Sequence, residues 1–181
     1  WQRARELCAI LEGPTQLLRV LRGQCSVHSV SAEFGRSREI GNELVRLGVA
    51  QDSVATQAAG HRAVGLSLFN EGDFASSCRH LEQVLAIHDP LQHSTFGFYF
   101  DERIVSLCYL SLILVICGYA DQARRRIWNA LTKAQELSHP GTIAYVRSYC
   151  FMVQELCGDV QAALAEAEAY LALSQEQGFS M

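Results

Sequence analysis

The chain of 181 residues is 49% apolar, with 19% charged residues and a formal net charge of −4. Such a composition supplies a buried core and excludes a disordered chain, and its acidic balance lacks the cationic excess that neutralising nucleic-acid phosphates demands. The longest apolar stretch, Leu107 to Cys117 with Ser111 inside it, falls well short of the roughly 20 residues that span a bilayer. Neither nucleic acid nor a membrane is an expected partner.

No basic segment followed by an apolar one opens the chain, and its first residue is Trp1 rather than Met. The expectation is a piece of a longer protein, with no secretory leader. The seven cysteines Cys8, Cys25, Cys78, Cys108, Cys117, Cys150 and Cys157 are odd in number and form no CxxC pair. Embedded in apolar runs, they read as small buried hydrophobes in a reducing, cytoplasmic setting.

In chain order, residues 1–12 read as the tail of an earlier helix. The 3.6-residue periodicity and the breakers between apolar runs then predict helices at about 14–30, 34–48, 53–70, 74–88, 102–117, 120–137, 141–157 and 161–177. Three turns share one punctuation: Glu71-Gly72-Asp73-Phe74, Cys117-Gly118-Tyr119-Ala120 and Cys157-Gly158-Asp159-Val160. Glycine suits such a turn because a chain leaving a helix in the left-handed conformation pays little there without a Cβ. Gly72 to Gly118 is 46 residues and Gly118 to Gly158 is 40, and 40 residues before Gly72 stands Ala32, a weaker copy. Pro14 and Pro140 lie 126 residues apart, the sum of those three steps, each suited to a helix's first turn. Asp52 and Ser53 offer capping chemistry at the matching place of the second copy.

The second helix of each copy carries small or apolar residues on one face. These are Ser37, Gly41, Leu44 and Val45, then Ser77, Leu81, Val84 and Leu85. The third copy has Ala123, Ile127, Ala130 and Leu131, and the fourth Ala163, Ala167, Tyr170 and Leu171. The small residues Ser37 and Gly41 allow two helices to approach closely. A hairpin of this size cannot bury its own apolar faces, so neighbouring hairpins must stack. The expected fold is all-α, an α-α superhelix of about four helical hairpins. Residues 1–13 end a preceding repeat, 14–51 form repeat 1, and 52–100 form repeat 2 with an aromatic insertion loop; 101–138 and 139–181 form repeats 3 and 4.

The string Gly65-Leu66-Ser67-Leu68-Phe69-Asn70-Glu71-Gly72-Asp73-Phe74, followed by Leu81, resembles a tetratricopeptide (TPR) repeat; Ala123 and Ala130 match its small second-helix positions. His61-Arg62-Ala63-Val64-Gly65, His88-Asp89-Pro90, Gly118-Tyr119-Ala120-Asp121-Gln122-Ala123, Leu137-Ser138-His139-Pro140 and Glu176-Gln177-Gly178-Phe179 together resemble a more particular group. This is the MalT/TPR-like repeat region of bacterial multidomain proteins that join a class III adenylate/guanylate cyclase or kinase domain to a signal-transduction ATPase. The resemblance covers nearly the whole chain. It implies a non-catalytic, protein-interaction or regulatory segment of a signalling protein, whose partner is a protein, a peptide or another domain of the same chain. No GxxxxGK[ST] phosphate loop is present, so catalysis is expected to lie elsewhere in the parent. A different reading is a small-molecule-sensing repeat domain of a transcription activator of the maltose-regulator type. Self-association through unfinished ends is a third possibility.

Solenoids of this kind bind along the face lined by the first helix of each hairpin. Counting ten residues back from each turn aligns Arg22, Arg62, Cys108 and Ser148, with Arg19, Phe69, Tyr145 and Glu155 on nearby groove positions. Two arginines 40 residues apart on adjacent helices offer forked hydrogen bonds to a carboxylate or an acidic peptide. The loop with Phe96, Phe98, Tyr99 and Phe100 reads either as aromatic anchors over the groove or as a plug between hairpins. His88, Asp89, His93 and Asp101 lack HxxxH or CxxC spacing, so no metal or cofactor is expected. Arg124-Arg125-Arg126 reads as a solvated outer face.

Overall fold

The computed structural model describes residues 14–87 and 101–178. Eight α-helices occupy them: α1 (Pro14–Val30), α2 (Phe34–Ala50), α3 (Val54–Asn70), α4 (Phe74–Ala86), α5 (Glu102–Ile116), α6 (Ala120–Glu136), α7 (Pro140–Leu156) and α8 (Val160–Glu176). Among the described residues there is no strand. The predicted helices start within one residue of the observed ones and end within two. The earlier helix over residues 1–12 and the aromatic loop lie outside the described residues.

Each described turn carries a left-handed residue, and after Asp52, Gly72, Ser138 and Gly158 the next residue caps the following helix through its side chain. After α3, the Gly72 N–H donates to Phe69 O at 3.1 Å and the Asp73 N–H to Leu68 O at 2.9 Å, the paired bonds of a Schellman stop. Asp73 then caps α4 by accepting from the Ser76 N–H at 3.0 Å. Ser53, Asp101, His139 and Asp159 cap α3, α5, α7 and α8 in the same way. The left-handed residues are Ala32 (φ 57°), Asp52 (50°), Gly72 (83°), Gly118 (87°), Ser138 (52°), Gly158 (74°) and Gly178 (64°). Within each half of the chain they stand 20 residues apart, so the true period is one helix and its turn, half the 40-residue step. Asp52 therefore serves the turn, and Ser53 alone is the cap.

Helices α1–α4 form one compact unit and α5–α8 another. In the first, α1 pairs with α2 and α3 with α4, and α2 packs on α3 to join the two hairpins. Leu21, Cys25, Leu44 and Ala63 form a shared core, with Leu17, Leu18, Ile40 and Leu47 against it. The α2–α3 contact is a backbone approach. A Cβ on Gly60 would stand 2.6 Å from Val45 N and 2.7 Å from Gly41 O, and one on Gly48 would stand 2.6 Å from Gln57 N. Gly41 and its neighbours thus do what their size suggested: they let two helices touch without intervening side chains.

Ser37 and Ser77 occupy the place where Ala123 and Ala163 stand in the second unit, and both are buried. The Ser77 hydroxyl donates to Gly65 O at 2.7 Å and the Ser37 hydroxyl to Cys25 O at 3.3 Å. Each bond ties the second helix of a hairpin to the first. These departures from the small alanine are satisfied polar links.

In the second unit, α5 pairs with α6 and α7 with α8, α6 packs on α7, and α5 also touches α7. Arg147 of α7 donates to Glu166 of α8 at 2.8 Å, with Glu166 only 8% exposed. A buried carboxylate needs such a partner, because an uncompensated charge there costs several kcal/mol, about 3–5 when one member of a pair is removed. Arg124 departs from the solvated outer face expected of it. It is half-buried, its Nε donates to Gln154 Oε1 at 3.1 Å, and it lies 3.8 Å from Asp159. The apolar face of α8 is also less covered than its periodicity suggested: Leu171 is 40% exposed, whereas its counterpart Leu131 on α6 is 4% exposed. The reason is that α6 packs against α7, and among the described residues no helix follows α8.

Candidate interaction surfaces on the first helices

In the first unit α1 and α3, the leading helices of the two hairpins, touch each other. Of the residues singled out there, Arg19 is exposed, Arg62 half-buried and Arg22 buried at 7% exposure. Arg22 and Arg62 therefore sit on touching helices at equivalent depth along the repeat, with Arg62 the more accessible of the two. Phe69, at the end of α3, is half-buried and packs against Phe74 at the start of α4, ring centroids 5.6 Å apart. Its ring closes the hairpin end.

The second unit carries a different chemistry at the corresponding positions. Cys108 is fully buried, and the Ser148 hydroxyl donates to Tyr145 O at 2.7 Å, inside its own helix. The prominent feature is a tyrosine cluster on α5 and α7. Tyr145 and Tyr149 lie one helical turn apart with centroids at 4.9 Å, Tyr109 meets Tyr149 at 5.4 Å, and the Tyr145 hydroxyl donates to the Tyr149 hydroxyl at 3.0 Å. Burial, then the charges of Tyr145 and Tyr109 and hydrogen bonds to both, push the Tyr149 phenol far above its usual range. It stays neutral, leaving the half-buried Tyr109 and Tyr145 as the wet rim of an aromatic surface. Tyr145 was singled out from the sequence and Tyr109 and Tyr149 were not, although the 40-residue step that aligned the arginines aligns Tyr109 with Tyr149 too. Glu155 is exposed near the end of α7, and Phe96, Phe98, Tyr99 and Phe100 lie outside the described residues.

The two buried thiols on these helices, Cys108 and Cys150, are not activated. The Cys108 thiol is held well above its ordinary value by burial first and by Cys150 second. Burial and then the Glu166 charge push Cys150 up to about 12, against the opposing pull of Arg147. Thiols so shifted stay protonated and serve as packing groups. Among the described residues no helix is long and apolar enough to cross a membrane.

The fold defined by these hairpins is that of a TPR-like helical repeat. The structure is similar to the crystal structure of a candidate kinesin light chain of Podosopora anserina with nearly identical TPR-like repeats, at TM-score 0.59 and 15% identity, over 91% of this chain and 78% of that one. A point variant of the same protein matches at TM-score 0.62, with the same identity and coverage. No protein-family model matches the chain, and no curated protein does.

Proposed function

We propose that the chain is a non-catalytic, protein-interaction segment whose binding surfaces are the first helices of its hairpins. The observation that carries this reading is the composition of those helices: an arginine-bearing surface on α1 and α3 in one unit, and the Tyr109–Tyr145–Tyr149 cluster on α5 and α7 in the other. Arginine and tyrosine are among the side chains enriched where proteins bind tightly, since both offer large flat areas with hydrogen-bonding tips. Arg19 and Arg62, supported by Arg22, suit an acidic peptide or a terminal carboxylate. The rims of Tyr109 and Tyr145 suit an apolar segment that ends in a hydrogen-bonding group.

Within a larger protein such a segment biases the state of a neighbouring catalytic domain through its partner. The sequence resemblance favours a bacterial cyclase or ATPase of the signalling kind in a cytoplasmic setting. The test is capture of partners on the intact chain beside an Arg62→Gln variant and a Tyr145→Ala variant. Acidic partners lost from the first and apolar ones lost from the second support the reading. Retention of every partner by both variants overturns it.

A further inference from the structure

One pair of chemistry-bearing side chains bridges the first and second helices of a single hairpin. His61 of α3 and His80 of α4 meet with Nδ1 atoms 3.0 Å apart, ring centroids 5.2 Å apart and rings tilted by 43°. Both are half-buried, so water reaches the pair from one side. We propose that His61 and His80 form a two-imidazole site for one divalent transition-metal ion of the nickel, copper or zinc kind, which clips α3 to α4.

The geometry supports this in three ways. Metal–imidazole bonds run about 2.0–2.1 Å, so two nitrogens at this separation subtend close to a right angle at a shared ion. That is the angle between neighbouring ligands in the square-planar and octahedral sites of nickel and copper, and about 0.3 Å of opening reaches the tetrahedral spacing of zinc. The helices also fix the donors in advance, since Gly65 and Leu81 pack the hairpin tightly beside them; a Cβ on Gly65 would meet Leu81 Cδ2 at 2.7 Å and His80 Cβ at 3.5 Å. Finally, the proton inventory is favourable. Without metal, one neutral ring donates its Nδ1–H to the lone pair of the other. When that ring's proton moves to Nε2, both Nδ1 atoms carry free lone pairs 3.0 Å apart, a small ring rotation turns them toward one ion, and no proton leaves the protein.

Burial keeps both rings below the ordinary histidine pKa of 6.5, with His80 lowering His61 further and Arg79 lowering His80. Neutral imidazole is the form that binds metal. Arg79 disfavours a cation here as it disfavours a proton, and its guanidinium is held back by donating to Ser76 Oγ at 2.8 Å. Among the described residues no group of three or more His, Cys, Asp and Glu side chains is placed to hold a metal, so the two rings are the protein ligands those residues offer.

The test titrates the full chain with Ni²⁺ near neutral pH under a phosphine reductant, by calorimetry and thermal melting, beside His61→Gln and His80→Gln. The expected result is one ion per chain, a raised Tm, an affinity at least tenfold lower in either variant, and no response to Mg²⁺. Imidazole nitrogen NMR of the unsubstituted chain gives a readout independent of variant folding. Substoichiometric Ni²⁺ broadens the His61 and His80 resonances before those of His28 and His139. Equal affinity in the variants, an unmoved Tm, or earlier broadening of the other histidines overturns the proposal.

Discussion

Ser77 donates its hydroxyl to the carbonyl of Gly65 at 2.7 Å, and Ser37, 40 residues earlier, makes the equivalent bond to Cys25 O at 3.3 Å. A buried hydroxyl with one good acceptor contributes about 1 kcal/mol net. Ser77→Ala is therefore expected to lower stability by about 1 kcal/mol and Ser37→Ala by less, since its bond is longer. Urea denaturation of each variant, with the m-value unchanged, checks the ranking.

The backbone approach of α2 and α3 makes Gly60 hard to replace. Its added Cβ would meet Val45 N and Gly41 O, main-chain atoms that cannot swing aside. Gly60→Ala is expected to cost about 3 kcal/mol, at the upper end for overpacking. Gly35→Ala is the control, because nothing lies within 4 Å of a Cβ there. It is expected to gain about 0.5–1 kcal/mol from helix propensity. Thermal melts that rank the two variants the other way would refute the close approach.

Ala32 holds φ at 57°, a conformation the equivalent Gly72, Gly118 and Gly158 adopt without strain. The left-handed penalty for an L-residue is about 1–2 kcal/mol, partly offset by the greater unfolded-state freedom of glycine. Ala32→Gly is expected to stabilise the chain by about 0.5–1 kcal/mol, read as an increased urea midpoint.

Much of this architecture was legible before any coordinates. The turn glycines, Pro14, Pro140 and the second-helix faces located the helices because each is a local consequence of backbone sterics or of 3.6-residue periodicity. What the sequence concealed depends on three-dimensional context. Asp52 and Ser138 hid the 20-residue period because they take a glycine's conformation without being glycine. Leu171 looked as buried as Leu131 because periodicity tells which face is apolar, and only packing tells whether a neighbour covers it. Spacing singled out Arg22 for the groove but could not show that it is buried, because a long side chain's burial is set by helices distant in sequence. His61 and His80 stand on different helices, 19 residues apart, at a spacing that no motif marks.

Acid weakens the contact between α3 and α4. The folded pKa values of His61 and His80 lie below 6.5, chiefly through burial, so the unfolded chain takes up protons first as pH falls. The associated stability is fully present above about pH 6.5 and is lost as pH drops through the lowered folded values. Urea midpoints measured from neutral to mildly acidic pH are expected to decline in the unsubstituted chain and to decline less in a His61→Gln, His80→Gln double variant.

The assignment of binding to the first helices of the hairpins is tested most directly by hydrogen exchange on the intact chain with a captured partner bound. Added protection is expected along α1 and α3 around Arg19, Arg22 and Arg62, or along α5 and α7 around Tyr109 and Tyr145, with α2, α4, α6 and α8 unchanged. Protection confined to the second helices would contradict the account.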